Sequence, residues 1–332
     1  MKKRSDEPLK ILIRTPNWLG DLIMSAAFIR ALRNEYPDAQ IDAIAKAELV
    51  AVAECIGQLN RVIPFSKKMH KGFRGLYRFG ADLKETGYDL FFCLPDSFSS
   101  AFLGWATGAK QRIGFRKEGR SLLLTKAFKK PGGLHRADEY VSIFEAFAGK
   151  KITGRRVELI SPPKIARRII VNFNSEAVSR RMPADKGRSL LQAICTAFPD
   201  REIALIGAPN EREHVRQIAA GVHHPQVHNF AGETSFPQLI ELIGTAALML
   251  STDSGPAHLA NALGTPVLVL FGAGNEANTA PYNPAKREII RLNMLPCEPC
   301  VKNTCIFGLP KCLQLLDNDR ITGLLKQLEH AE

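Results

Sequence analysis

The chain has 332 residues, a formal net charge of +12, 45% hydrophobic and 23% charged residues, 25 Gly and 20 Pro. That length suits two α/β domains of roughly 100–200 residues each, and the composition excludes disordered, collagen-like and coiled-coil classes. No apolar run approaches the ~18 residues that span a bilayer.

Short β-rich runs alternate with amphipathic stretches. In the first half the pattern predicts strands over 9–14, 40–45, 61–65, 88–94 and 112–115, with helices over 21–35, 47–56, 71–86, 97–107 and 136–148. In the first helix Leu22, Ala26, Ile29 and Leu32 recur at helical spacing. Tandem Pro162-Pro163 then breaks the pattern. A boundary is expected there, giving domains 1–162 and 163–332. The second half predicts strands over 168–174, 203–207, 227–230, 247–251 and 267–271. Its helices fall at 186–198, 211–220, 236–244 and 257–263, with a terminal helix over 317–332. No internal repeat or low-complexity tract is visible. Strands separated by helices imply parallel sheets covered on both faces. The expected fold is α/β: two doubly wound, Rossmann-like domains facing each other across a cleft.

The charge is uneven. Residues 1–160 hold 28 basic and 17 acidic side chains, a net of +11, whereas the rest carry +1. The stretch 61–136 alone holds 16 basic and five acidic residues. Such a field attracts a polyanion: nucleic acid, an anionic membrane or a phosphorylated substrate. A merely soluble basic surface fits as well. No zinc-finger or RNP-type motif is present, so nucleic acid is not expected as a partner. The charged N-terminus lacks the apolar stretch of a secretory signal, and a cytosolic location is expected.

Three segments could carry chemistry. Ile11–Asp21 runs a buried strand into a loop with Asn17, Trp18 and Gly20, then a helix near Asp21. Ligands of open α/β sheets bind beyond the carboxyl ends of strands. Asp21 is therefore a candidate base that accepts a proton from a substrate hydroxyl; equally, Asp is a preferred helix cap. Trp18 in that loop suits a ligand surface. In Leu250–His258 an apolar strand ends in Ser251-Thr252-Asp253-Ser254-Gly255 and Pro256 opens a helix at its first position. The N–H groups of Ser254, Gly255 and Ala257 would make an anion site, with His258 one turn in. In 172–183, adjacent Arg180 and Arg181 offer a clamp for a diphosphate or form a solvated basic loop. Gly272-Ala273-Gly274 fits the loose dinucleotide fingerprint, but Pro281 and Pro284 deny it a helix, and it reads as a cleft loop. Asp317-Asn318-Asp319 resembles a metal-binding acidic pair and is better explained as a cap of the last helix.

Of seven cysteines, Cys297, Cys300, Cys305 and Cys312 cluster with the spacing C-x2-C-x4-C-x6-C. Four thiols in sixteen positions allow a structural zinc site. Reduced thiols without metal are the default, since disulfides are not expected in the cytosol.

The segments Arg14–Asp21 (RTPNWLGD) and Ser251–His258 (STDSGPAH, continuing LANALGTP) resemble the two hallmarks of glycosyltransferase family 9, the bacterial heptosyltransferases of lipopolysaccharide inner-core assembly. The resemblance spans nearly the whole chain. The Asn17–Asp21 wording and the Cys-rich tail look most like the heptosyltransferase II branch. It implies a GT-B fold with an acceptor-binding N-terminal and a nucleotide-sugar-binding C-terminal domain. It also implies inverting transfer of L-glycero-D-manno-heptose from ADP-heptose to heptosyl-Kdo-lipid A, on the cytoplasmic face of the inner membrane, with no cofactor required. By the resemblance Asp21 is the catalytic base, and Asp253, Ser254, Gly255 and His258 form the donor loop. Arg180 stands where the family commonly has Lys, before Arg181-Met182-Pro183 instead of Trp-Pro, and Asn172-Phe173-Asn174 replaces the usual Pro-Gly-Ala. Glu211 matches an acidic donor contact. A GT-B transferase for a different nucleotide sugar is the first alternative, and a non-catalytic basic nucleic-acid-binding protein the second.

Overall fold

The computed structural model describes residues 7–117, 119–165 and 167–330. Two compact units meet in sequence between Leu159 and Ile160. The Pro162-Pro163 stretch belongs to the second: Pro162 lies so close to Gly244 that a Cβ there would stand 2.6 Å from its ring.

The first unit runs β1 (Lys10–Arg14), α1 (Leu19–Met24), α2 (Ala26–Glu35), β2 (Gln40–Lys46), α3 (Val50–Glu54), β3 (Arg61–Phe65), α4 (Gly72–Asp82), β4 (Leu90–Cys93), α5 (Phe98–Ala106), β5 (Gln111–Phe115), β6 (Lys126–Phe128) and α6 (Arg136–Ala148). The second runs β7 (Arg168–Asn172), α7 (Ala184–Ala197), β8 (Glu202–Leu205), α8 (Arg212–Ala219), β9 (Val227–Asn229), α9 (Phe236–Gly244), β10 (Leu248–Thr252), α10 (Gly255–Ala262), β11 (Val267–Phe271), α11 (Glu276–Thr279), β12 (Arg287–Arg291), α12 (Lys311–Gln314) and α13 (Asn318–His330). Residues 331 and 332 of the expected terminal helix lie outside the described residues.

Among the described residues each unit holds one six-stranded sheet, in the orders β3-β2-β1-β4-β5-β6 and β12-β11-β10-β7-β8-β9. All pairings are parallel, with Ile11 beside Ile41 and Leu90, and Leu250 beside Val171 and Leu268. Central strands are buried on both faces, so they read as unbroken apolar runs: Ile11-Leu12-Ile13 and Val267–Phe271 are fully enclosed. Successive side chains serve opposite faces. Phe91 packs under α5, whereas Phe92 meets Phe28 of α2 and Phe144 of α6 edge-to-face, with ring centroids 5.2 and 6.2 Å away. In the second unit Leu190, Ile218 and Leu325 from α7, α8 and α13 pack with Ile169, Leu205 and Leu250.

Three differences from the sequence-based elements have local causes. The helix expected over 21–35 starts earlier and breaks at Ser25. Its hydroxyl donates to the Leu22 carbonyl at 2.6 Å, which tightens the turn between α1 and α2. Strands β6 and β12 were not expected. Both are sheet edges with charged, partly exposed sequences, KAF and REIIR, that lack an apolar run. Pro256 occupies the second position of α10, after Gly255.

Close packing makes one glycine diagnostic. A Cβ on Gly104 of α5 would lie 2.4 Å from the Phe91 ring. Gly104→Ala is expected to destabilise the chain by about 1–3 kcal/mol, read as a lower urea midpoint with an unchanged slope.

Candidate functional site

A doubly wound sheet leaves a crevice where its strand order reverses, at the carboxyl ends of the strands. In the first unit that point lies between β1 and β4. Asn17 and Trp18 of the loop after β1, with Asp21 in the first turn of α1, stand on one side, and Pro95 and Asp96 of the loop after β4 on the other. They line a cavity of about 230 Å³.

Arg14, at the end of β1, is buried. It donates to the carbonyls of Thr15 and Ile44 at 2.9 and 3.0 Å and to the Asn17 side-chain oxygen at 2.6 Å. Asn17 thus fixes the loop. Trp18 is the N-cap of α1, 62% exposed, and borders the cavity. Gly20 sits in the first helical turn and does not line the cavity. Asp21 makes no capping hydrogen bond; its carboxylate faces the cavity, 3.6 Å from Arg136 Nε. The cap alternative is thereby removed, because α1 starts two residues before Asp21.

A chain of charges follows. Arg136 pairs with Glu139 at 2.6 Å, Glu139 with Lys130 at 2.9 Å, Lys130 with Asp96 at 2.8 Å, and Asp96 with fully buried Arg120 at 3.5 Å. Burial raises the Asp21 carboxyl above its ordinary range, while Arg136 and the Tyr140 hydroxyl act in the opposite direction. Burial and Asp21 hold the Tyr140 phenol protonated. Burial works against the Lys130 charge, but Asp96 and Glu139 outweigh it and keep the ammonium charged. The result is a partly open carboxylate with neighbouring cations and a proton donor, a set suited to general-base work on a hydroxyl.

Arg136, Glu139, Tyr140, Lys130 and Asp96 escaped the sequence reading. The Arg136-x-x-Glu139 spacing at a helix start was a visible signal for that pair. Nothing local pointed Lys130 or Asp96 to Asp21.

The second unit repeats the logic. Its strand order reverses between β7 and β10, and the loops after those strands meet there. Arg180 from the first and Asp253 from the second lie 3.2 Å apart. Arg181 donates to the Ser175 carbonyl at 3.1 Å and stands 4.0 Å from Glu211. Glu211 also accepts the Ala208 N–H at 2.8 Å, and burial raises its carboxyl. Ser254 stands at the N-cap position of α10 without a side-chain capping bond; its hydroxyl accepts from the Asn172 amide at 2.8 Å and lies 3.1 Å from Ser251 Oγ. Gly255 is the first helical residue and His258 is buried one turn in. The Ala257 N–H, expected to face a ligand, instead closes a turn onto the Ser254 carbonyl at 3.2 Å. Arg291 of edge strand β12 was missed. It donates to the carbonyls of Gly272, at 2.5 Å, and Gly274 and pairs with Glu276, tying the loop after β11 to the site. That loop does continue into helix, but α11 is only four residues long.

Cys297, Cys300, Cys305 and Cys312 line one small apolar cavity of about 50 Å³. The zinc reading is not supported. Among the described residues no three His, Cys, Asp or Glu side chains form a group placed to hold a metal. Cys305 donates to the Leu309 carbonyl at 3.3 Å, and burial pushes the Cys312 thiol up to about 11, so it remains protonated.

Residues 76–310 match the family profile described as "Glycosyltransferase family 9 (heptosyltransferase)", more than half of the chain. This chain belongs to glycosyltransferase family 9. As a glycosyltransferase it is 28% identical to lipopolysaccharide heptosyltransferase 2 of Salmonella typhimurium, over 86% of this chain and 88% of that protein. It is 26% identical to the Escherichia coli protein of that name, with the same coverage. Among solved structures it resembles E. coli ADP-heptose lipopolysaccharide heptosyltransferase II, with a TM-score of 0.81, 24% identity, and 97% and 98% of the two chains covered. E. coli heptosyltransferase WaaC with ADP gives 0.78 at 16% identity, covering 96% of this chain and all of that one. The fold of this glycosyltransferase is thus the two-domain α/β GT-B fold that the sequence motifs implied.

Asp253 yields a pH-dependent test. Burial raises its carboxyl to about 6 from the ordinary 3.8, although Arg180 and Arg291 pull the other way. Between those values the folded chain keeps a proton that the unfolded chain has lost, so stability falls as pH rises through the interval. The gap corresponds to at most ~3 kcal/mol. Asp253→Asn is expected to be more stable than the parent above pH 6 and to lose that advantage near pH 4, as read by thermal melts across pH.

Proposed function

We propose that this glycosyltransferase moves L-glycero-D-manno-heptose from ADP-heptose, with inversion, onto the heptosyl-Kdo-lipid A inner core of lipopolysaccharide. Family membership and the full-length similarity to heptosyltransferases support the substrate class. The single structural observation that carries the mechanism is the Asp21 carboxylate, turned into a cavity between the loops after β1 and β4 with Arg136 and Tyr140 beside it.

In this reading Asp21 takes the proton of the acceptor hydroxyl as its oxygen attacks the anomeric carbon. Arg136 keeps Asp21 ionised and oriented. The bond to ADP breaks through an oxocarbenium-like state. The diphosphate gathers charge that Arg180, Arg181 and the N-terminus of α10 at Ser254 and Gly255 stabilise, with His258 behind them. Asp253 positions Arg180, and Glu211 positions Arg181 or receives a donor hydroxyl. The chain works as a peripheral protein on the cytoplasmic face of the inner membrane, where its lipid-linked acceptor resides. A transferase for another nucleotide sugar is the competing reading, favoured by the unusual Arg180-Arg181-Met182 stretch.

Donor identity is read by which nucleotide sugar raises the melting temperature; ADP-heptose is expected to do so, and a shift with another donor alone replaces the substrate assignment. Asp21→Asn should retain that shift and lose about 100–10,000-fold in kcat. Wild-type turnover by the variant refutes the base assignment. Arg136→Gln removes the cation that lowers the Asp21 pKa. The acid limb of its kcat/KM profile is therefore expected at higher pH than in the parent, and an unmoved limb overturns the Arg136 role.

A further inference from the structure

Helices α4 and α5 cover one face of the first sheet. Both cross back from the carboxyl ends of parallel strands, so they run side by side in the same direction. Their inner faces are spent on the core: Phe79 from α4, and Ala101 and Leu103 from α5, pack with Phe91 and Tyr88. Their outer faces are not polar, as a solvated face would be. Phe73 and Tyr77 sit one turn apart on α4; Phe98, Phe102 and Trp105 follow at i, i+4 and i+7 on α5. The rings interlock across the helices. Phe73 meets Phe98 and Phe102 edge-on at 5.9 and 5.1 Å, Tyr77 meets Trp105 at 6.0 Å, and Phe102 meets Trp105 at 5.5 Å. Yet Phe73 is 56% and Trp105 46% exposed, and Met69, three residues before α4, is more so. A contiguous aromatic ridge left in water marks an interaction surface.

The charge around the ridge says what covers it. Residues 61–81 contain six basic side chains and no acidic one. Lys67, Lys68, Lys71, Arg74 and Arg78 are exposed, and none of them is held in an ion pair among the described residues. The segment carrying the lysines is anchored. His70 stacks on Phe65 at 5.3 Å, meets Phe79 edge-on at 4.7 Å, and its Nδ1 and backbone N–H both lie within 3.0 Å of the Ser66 carbonyl. Amphipathic aromatic rings beside a row of cations match the boundary between lipid headgroups and acyl chains, where Tyr and Trp collect and anionic headgroups attract Lys and Arg. The α5 end of the ridge begins at Phe98, two residues after Asp96 of the Asp21 cavity. No helix among the described residues is long and apolar enough to cross a membrane.

We propose that the aromatic ridge of α4 and α5, flanked by Lys67, Lys68, Lys71, Arg74 and Arg78, docks this chain onto an anionic bilayer. The proposal deepens the functional reading and rests on its lipid-linked acceptor.

Flotation of the full chain with phosphatidylcholine vesicles containing phosphatidylglycerol, and with phosphatidylcholine alone, tests it. Binding is expected only to the anionic vesicles and should weaken with salt. Replacing Lys67, Lys68 and Lys71 together with Gln should weaken partitioning about a hundredfold. Replacing Phe73, Tyr77 and Trp105 together with Ser should weaken it at least about tenfold. Both variants should keep the parent's donor-induced melting shift, which shows that they fold, and should transfer to a delipidated, water-soluble core acceptor at the parent's rate. Vesicle binding absent in the parent, or unchanged in both folded variants, overturns the proposal. A parent that dimerises through the ridge and ignores vesicles assigns the surface to a second copy and overturns it too. Failure of the parent to act on the soluble acceptor counts against the functional reading alone, since flotation needs no turnover.

Discussion

The constraint on which the rest depends is the reversal of strand order in each parallel sheet. The chain lays β1, β2 and β3 outward in one direction, then returns to place β4 on the other side of β1. It does the same with β7, β8, β9 and then β10. Loops leaving the two central strands therefore turn to opposite faces and leave a gap between them. Every residue assigned to chemistry stands at or beside such a gap. Asp21 comes from the first turn of α1, just past β1, Asp96 from the loop after β4, and Arg180 and Asp253 from the loops after β7 and β10. The gaps exist because the central strands are buried on both faces and cannot exchange places with the polar edges.

Filling the gaps with carboxylates is costly, since a charge removed from water loses several kcal/mol unless it is paired. The two units solve this differently. Asp21 stays partly open, with an arginine 3.6 Å away and a phenol beside it, which suits a group that must gain and lose a proton. Asp253 is almost wholly enclosed, and a Cβ on Gly274 would lie 2.0 Å from its oxygen. Arg180 at 3.2 Å does not fully offset that burial, and the carboxyl remains raised. Burial thus outweighs pairing at Asp253, consistent with a positioning task, whereas openness at Asp21 is consistent with proton transfer.

The first unit carries nearly all of the net positive charge, and the structure divides that charge by role. Arg14, Arg120, Lys130 and Arg136 are turned inward, each bonded to a loop or carboxylate around the Asp21 cavity. The lysines and arginines of 67–78 are turned outward beside exposed aromatic rings. The inner set costs desolvation and fixes geometry; the outer set keeps its hydration and acts at longer range.

Alternation of apolar runs with amphipathic stretches was enough to place ten of the twelve strands among the described residues; the central ones read most plainly, because a strand buried on both faces must be continuously apolar and a covering helix must repeat near 3.6. The Arg14–Asp21 and Ser251–His258 segments were legible for a similar reason: each is a strand, its turn and a helix start, all set by neighbours in sequence. The edge strands β6 and β12 were not legible, since a half-solvated strand needs no apolar run. Nor was the helix break at Ser25, which one hydroxyl decides. The pairings that shape the sites lay further from reach. Asp21 meets Arg136, Asp96 meets Lys130 and Arg180 meets Asp253 only after the strands take their order. Local periodicity records which face of an element is buried, and strand order is a choice among packings that share the same periodicity. The sequence by itself therefore determined the elements and the two loop motifs, and the tertiary structure alone decided which charges stand opposite them.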